Sequence, residues 1–370
     1  MTNAAFLDHF SALNDPRQGW KVVYPLTEIL LLVLCGTMAG ADTFVEIERW
    51  GTGKLDFLRR FLPFAHGIPA HDTLNDVMNA LPASSFAECF TAWVASLCET
   101  EPDLVAIDGK TSRRAKRGQA HPLHLVSAWA SRQRLVLGQE VVAGDSNEIT
   151  AIPLLLQRLQ LSGALVTIDA IGCQRAIAET IRAQGADYLL ALKDNQPTLA
   201  QDVRLFFHTA EGLPVHETTD GDHGRIEIRR HKVSHDVGWL SGDQRFPEEP
   251  RFEGLATIAM VEAEVERNGK TTIARRYYLS SAQLSAEQFA RAVRAHWDIE
   301  NRLHWVLDVV FHDDLMRLRT ENGPANMATM RHAALNIIQA IPERASLNVK
   351  RKTAAWDESY LFKALTACHH

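Results

Sequence analysis

Two short apolar runs that each stop at a carboxylate constrain this chain most: LVAID, Leu104 to Asp108, and ALVTID, Ala164 to Asp169. Runs of this length read as β-strands. Between them lie HLVSAWAS (124–131) and LVLGQEVVA (135–143), parted by a polar turn at 132–134. A helix follows, its start framed by Asp145 and Glu148 and its end near Leu161. Another helix is expected from about Cys173 to Gln184, then a strand at Tyr188 to Leu192. Strands in a meander, then strands alternating with helices, specify a mixed α/β sheet. In open α/β sheets, sites form at the carboxyl ends of strands. Asp108 and Asp169 are therefore a candidate pair for divalent cations such as magnesium, which take oxygen ligands. The plainer reading is that strand-end aspartates act as caps and turn formers.

The rest of the 370 residues frames that core. Residues 1 to about 99 read as helical, with Thr27 to Ala39 buried all round. Thr43 to Trp50 and Lys54 to Leu62 are helical pieces parted by Gly51 and Gly53, and Ser84 to Cys98 is another helix. Gly67 to Leu81 reads as a turn and a short helix capped by Asp72 or Thr73, either a DNA-reading element or an ordinary core helix. From about 201 to 280 the sequence alternates apolar and polar residues, with an Asn-Gly hairpin signal at 268–270, and reads as a β-rich insertion. A long helix is expected from Ser285 to about Phe311 and a last one from roughly Asn326 to Ile341. The expected domains are thus a helical unit over 1–99, a catalytic unit from 100–200 and 281–345, the insertion at 201–280 and a tail at 346–370.

Composition narrows the class. Apolar residues are 46% and charged residues 23%, as in soluble globular proteins. The formal charge is −6, so contact with nucleic acid must come from local basic patches. The five cysteines include no CxxC pair, which argues against a disulfide framework and for a reducing, cytoplasmic setting. The apolar run Ile29 to Cys35 is too short to span a bilayer. Lys21 to Ala41, where Ala39-Gly40-Ala41 mimics a cleavage site, makes a poor signal peptide, because twenty residues including Asp8 and Asp15 precede it and Glu28 interrupts it; a buried helix is the better reading.

Further chemistry sits on the long helix, where His296, Glu300, His304 and Asp308 recur every four residues as one polar stripe beside Leu303 and Leu307. Such a stripe fits an inward-facing polar site or a solvated face. His296 and His304 are about two turns apart, too far to close easily on one zinc. KTSRRAKR begins two residues past Asp108 and carries Lys110, Arg113, Arg114, Lys116 and Arg117. Cations beside an acidic metal site suit a phosphodiester enzyme: they hold the phosphates that metals polarise. Further basic clusters are Arg225, Arg229, Arg230, His231 and Lys232, and Lys350, Arg351 and Lys352. Trp297 and Trp305 flank Glu300, as base-stacking platforms or as core.

AIDGK around Asp108, SNEITAIPLLL at 146–156, TIDAIGCQ around Asp169, LLALKDNQ at 189–196 and the HWDIEN–LHW–LDVVFHDD segment around Glu300 resemble the DDE transposases of bacterial insertion sequences. The nearest group is the ISAs type, with the H-repeat-associated proteins of Rhs elements. The amino-terminal DPR–G–YPL–EIL, GAD–F–EIE–WG and HGIPAHDT are similar to the domain preceding the catalytic region there. The resemblance implies a ribonuclease H-like core with Asp108, Asp169 and Glu300 as catalytic and metal-binding residues. It implies magnesium, with manganese as a substitute, and DNA as substrate, held by a homodimer at both transposon ends. With DNA as substrate, the expected contacts are the basic loop above, Lys193, Arg229, Arg230, His296, Trp297 and His304. The wider group often has Tyr, Arg and Lys at −7, −4 and +7 from the Glu; here these are Val293, His296 and Leu307, with His296 in the place of the Arg. A non-mobile nuclease and a silent DNA-binding remnant are the competing functions, and the three standing carboxylates disfavour the remnant.

Overall fold

The computed structural model describes residues 5–98, 104–112, 122–144, 146–222, 225–240, 252–267 and 270–366. Its amino-terminal part is six helices: α1 (Ala5–Phe10), α2 (Leu26–Met38), α3 (Phe44–Gly53), α4 (Leu55–Leu58), α5 (His71–Ala80) and α6 (Ala83–Leu97). Only Thr27 of α2 escapes full burial, which is why that helix lacks an amphipathic pattern. The start of α5 differs from expectation. Neither Asp72 nor Thr73 caps it; the Glu48 carboxylate of α3 accepts the His71 backbone N–H at 2.9 Å and fills that role.

Strands β1 (Leu104–Thr111), β2 (His124–Ala130) and β3 (Leu135–Val141) follow, then α7 (Glu148–Arg158), β4 (Leu165–Ile168), α8 (Arg175–Ala183), β5 (Asp187–Leu192) and α9 (Pro197–Thr209). Asn147 caps α7, its side chain accepting from Ile149 N at 3.0 Å, while Asp145 lies outside the described residues. A four-strand meander comes next: β6 (Val215–Asp222), β7 (Arg225–Ser234), β8 (Thr257–Arg267) and β9 (Lys270–Ser280). Among the described residues, nine strands form one sheet in the order β3-β2-β1-β4-β5-β9-β8-β7-β6. β1, β4 and β5 run parallel, and the other pairings are antiparallel. The meander continues the sheet through the β5–β9 pairing.

The expected single long helix is broken. α10 (Ala286–Asp298) passes into a π-helical segment, Ile299–His304, and then α11 (Trp305–Val309). α12 (Gly323–Ala340) is buried from Gly323 to Ile338. The segment expected as a tail folds into α13 (Leu347–Trp356) and α14 (Glu358–Thr366). There, Lys350 and Arg351 are buried and do not form a surface patch. Lys350 Nζ donates to Ile341 O at 2.6 Å, and Arg351 donates to Thr37 O at 2.8 Å and lies 4.3 Å over the Phe311 ring. No helix among the described residues is long and apolar enough to cross a membrane.

Candidate active site

The parallel pairing of β1 with β4 ends at Ile107 opposite Ile168. The next residues along the chain are Asp108 and Asp169, so the backbone register brings these two residues to the same level of the sheet. β1 itself runs on to Thr111 because its other edge stays paired with β2 as far as His124. Asp108 is therefore inside a strand and not at its end, as the sequence led one to expect. Asp169 is one residue past β4, where its side chain accepts from Ile171 N at 3.1 Å. Side chains alternate faces along a strand. Thr167 and Asp169 thus face α10, where Thr167 Oγ1 lies 2.9 Å from His296 Nδ1.

Over this pair sits the π-helical segment. Such segments recur at functional sites because the wider turn re-aims side chains. Here it carries Glu300 at one end and His304 at the other. Ligand atoms of Asp108, Glu300 and His304 all lie within 4.8 Å of one another, with His304 Nδ1 3.6 Å from Asp108 Oδ2. Asp169 is not in that cluster. It lines the same cleft as Asp108, a cavity of about 270 Å³ also lined by Lys193, Arg276, His296, Trp297 and Glu300. A larger cavity of about 420 Å³, between α6, β3 and the start of α12, contains none of these residues.

Burial, joined by the neighbouring charges of Glu300 and Asp169, pushes the Asp108 carboxyl up to about 8. Carboxylates crowded this way favour a cation among them. His304 is driven the opposite way, to about 3, mainly by burial and then by the nearby Lys110 charge, so its ring is neutral and able to act as a ligand. Burial also lowers His296.

The expected DNA contacts separate into groups. Lys193 and Trp297 line the cleft, and Trp305 is 56% exposed on α11. Lys110 instead turns inward: its Nζ lies 2.6 Å from Asp308 Oδ1 and 3.7 Å from both Asp313 and Asp314 carboxylates. Arg113, Arg114, Lys116 and Arg117 lie outside the described residues. Arg229 and Arg230 are tied to carboxylates of their own meander: Arg229 to Asp220 and Glu227, Arg230 to Glu217 and Glu264. His231 is buried and Lys232 half-buried.

Three contributors lie beyond the sequence reading. Arg276 lines the cleft. Thr167 orients His296. Glu148, bonded to His124 Nε2 at 2.8 Å, backs the strand behind Asp108. Alternation in TTIARRYYLSS already implies that Arg275 and Arg276 face opposite sides, but no local signal says which side meets the cleft.

The sequence matches two families in series: DDE_Tnp_1-associated over residues 7–94 and transposase DDE domain over residues 99–337. It is 39% identical over 373 residues to the H repeat-associated putative transposase YhhI of Escherichia coli (strain K12), covering 97% of each chain. It is 36% identical over 387 residues to the putative transposase YncI of Escherichia coli O157:H7, covering 100% of this chain and 96% of that one.

Proposed function

The chain belongs to the DDE transposase family, and on that premise we propose that it cuts the ends of an insertion sequence and joins them to target DNA. Asp108, Asp169 and Glu300 are the proposed catalytic carboxylates. The observation that carries this is the strand register. With Ile107 opposite Ile168, the two aspartates directly follow the last residues of a parallel pair, and Glu300 is carried on the π-helical segment that packs against β1. The family implies a ribonuclease H-like core, and the β3-β2-β1-β4-β5 part of the sheet is the portion that corresponds to it. In this reading β6–β9 are an insertion between β5 and α10.

The donor set fits a hard divalent cation. The Asp108 and Glu300 carboxylates come within 4.8 Å of each other beside His304, and the Asp108 carboxyl is held near 8 by burial and like charge that a cation on these oxygens would relieve. We assign magnesium, with manganese as substitute, to the carboxylates of Asp108, Asp169 and Glu300, with the neutral His304 ring beside them. When bound, the cation supplies Lewis acidity at the scissile phosphate and a lowered pKa for the attacking water.

The chain's own residues do the rest. Asp108 and Asp169 fix the carboxylate platform, and Thr167 holds His296 beside it. Lys193, at the exit of β5, faces the strand that enters the cleft. The nucleophiles are water and then the freed 3′-hydroxyl of the DNA, so no serine or tyrosine attacks and no protein–DNA bond forms. Two ends must be joined in one event, which favours a homodimer on DNA.

The test is magnesium-dependent cleavage of DNA bearing the element's ends. Asp108→Ala, Asp169→Ala and Glu300→Ala are each expected to drop cleavage to background while end binding persists. Wild-type cleavage by the Glu300 variant would remove Glu300 from the role. A strand-transfer assay on the same DNA then separates cutting and joining from cutting alone.

A further inference from the structure

One wall of the cleft is built from the carboxyl end of β5 and the stretch of β9 that pairs with it. Their register sets Ala191 opposite Tyr278 and Leu192 opposite Tyr277. The next positions along are Lys193 and Arg276, and both line the cleft. Like charges level with each other on adjacent strands repel, and among the described residues neither forms an ion pair.

The neighbouring arginines behave differently. Arg229 binds Asp220 and Glu227, Arg230 binds Glu217 and Glu264, and Arg275 donates to Glu262 at 2.7 Å. Arg276 has no such carboxylate. Its guanidinium carbon lies 5.4 Å from the centre of the Trp297 ring, and that tryptophan is 42% exposed. Stacking on an aromatic face steadies a guanidinium without consuming its in-plane N–H donors; one of those donors meets the Tyr278 hydroxyl, a further support that leaves the rest of the fork for a ligand. The result is a held, solvent-facing cation pair a few side chains away from the carboxylates. An anion is the ligand that relieves it. A nucleic acid strand supplies anions at regular spacing, so one phosphate can lie on this pair while a neighbour lies at the carboxylates.

We propose that Arg276, steadied by Trp297 and accompanied by Lys193, binds a backbone phosphate of the DNA strand in the cleft and thereby positions the scissile bond. The assignment rests on the transposase reading above and adds a positioning residue to it. Arginine suits the task because its planar fork matches two phosphate oxygens at once, whereas lysine offers a point charge.

The experiment compares the full chain with Arg276→Ala, Arg276→Gln, Arg276→Lys and Arg275→Ala. Binding to a random-sequence duplex with a recessed 3′ end is followed by fluorescence anisotropy across a KCl series, beside the kcat and KM of magnesium-dependent cleavage. Random sequence suffices because phosphate contacts position a duplex without reading it. Removing the Arg276 charge is expected to weaken binding roughly ten- to a hundred-fold, as for a lost hydrogen bond to a charged group. It is expected to flatten the log–log salt slope by about 0.9. Arg276→Lys should restore the slope and only part of the affinity, and Arg275→Ala should match the parent. Two charge-removing variants guard against one failing to fold. If the parent binds and cleaves while both variants keep its slope, affinity and KM, the Arg276 assignment falls and the transposase reading stands. The assignment also falls if Arg275→Ala loses as much as Arg276→Ala. A parent chain that neither binds nor cleaves DNA overturns the underlying reading as well.

Discussion

At Gly109 the backbone of the site has no room to spare. A Cβ built there would lie 2.1 Å from Glu148 Oε1 and 2.9 Å from His124 Nε2. An alanine there has to displace the Glu148 carboxylate, and the His124 bond that holds it. Alternation along β1 turns Asp108 toward α10 and position 109 toward α7, so Glu148 braces the strand from behind. It is itself fixed: His124 bridges Glu148 at 2.8 Å and Thr111 Oγ1 at 2.7 Å, directly across the β1–β2 pair. Gly109→Ala is expected to destabilise the fold by roughly 1–3 kcal/mol, the usual cost of overpacking. Glu148→Ala opens the same space, so the double variant should recover part of that loss. Urea unfolding of both singles and the double gives the coupling, since residues sharing a contact are not additive. Additive losses would mean that the two side chains do not compete for one volume.

Among the elements, α12 shows most plainly what burial does to a titratable group. His332 is 1% exposed there, and burial is the main cause that lowers it to about 4; the Asp313 carboxylate opposes this, while Arg331 and Lys110 add to it. In the unfolded chain the same imidazole takes up its proton near pH 6.5. Between those values only the unfolded state binds the proton. The stability is therefore complete above about pH 6.5 and drains as the pH falls toward 4, by roughly 3 kcal/mol in all. His332→Leu should remove that part of the acid sensitivity, read as urea midpoints at about pH 7 and about pH 5. An unchanged gap between the two midpoints would assign the acid response to other groups. The elements also divide into those the sequence discloses and those it does not. LVAID and ALVTID disclose themselves because a run of aliphatics followed by a carboxylate is local information. The π-helical segment does not: Ile299–His304 has an ordinary helical sequence, and the four-residue stripe predicts a straight α-helix. The segment packs against β1, a contact between distant parts of the chain that no local pattern carries. Lys110 fails for the same reason. Its basic neighbours suggest a DNA contact, but its partner Asp308 is 198 residues away.

Taken whole, the molecule does not divide where its composition does. One hydrophobic cluster runs from Phe6 to Leu365. α12 is its axis, packed on one side by α2, α5 and α6 and on another by β3. Asn326 donates to Met78 O and Leu81 O at 2.8 and 2.9 Å, tying α12 to the end of α5. Ten residues on, the Asn336 amide accepts from Val136 N at 2.9 Å and donates to Val136 O at 3.0 Å. That pair of bonds satisfies backbone groups that the outermost strand β3 would otherwise leave open. The carboxyl-terminal helices close the same layer, with Lys54 2.9 Å from Glu358 and Arg60 3.9 Å over Phe362. Residues 5–98 are therefore part of the support of the sheet. Their candidate reading helix, α5, buries Leu74, Val77 and Met78 and exposes Asp72 and Asp76, an acidic outer face that repels phosphate. Deleting residues 1–99 should strip apolar cover from α12 and β3 and leave a chain that aggregates or unfolds without cooperativity. Near-UV circular dichroism with thermal melting checks this. A soluble 100–370 fragment with native near-UV signal and one sharp transition would establish the sheet as a self-sufficient unit. In the expected case, end recognition by this region has to be tested with surface substitutions in the full chain, where Asp72→Asn and Asp76→Asn would relieve the repulsion without touching the buried face.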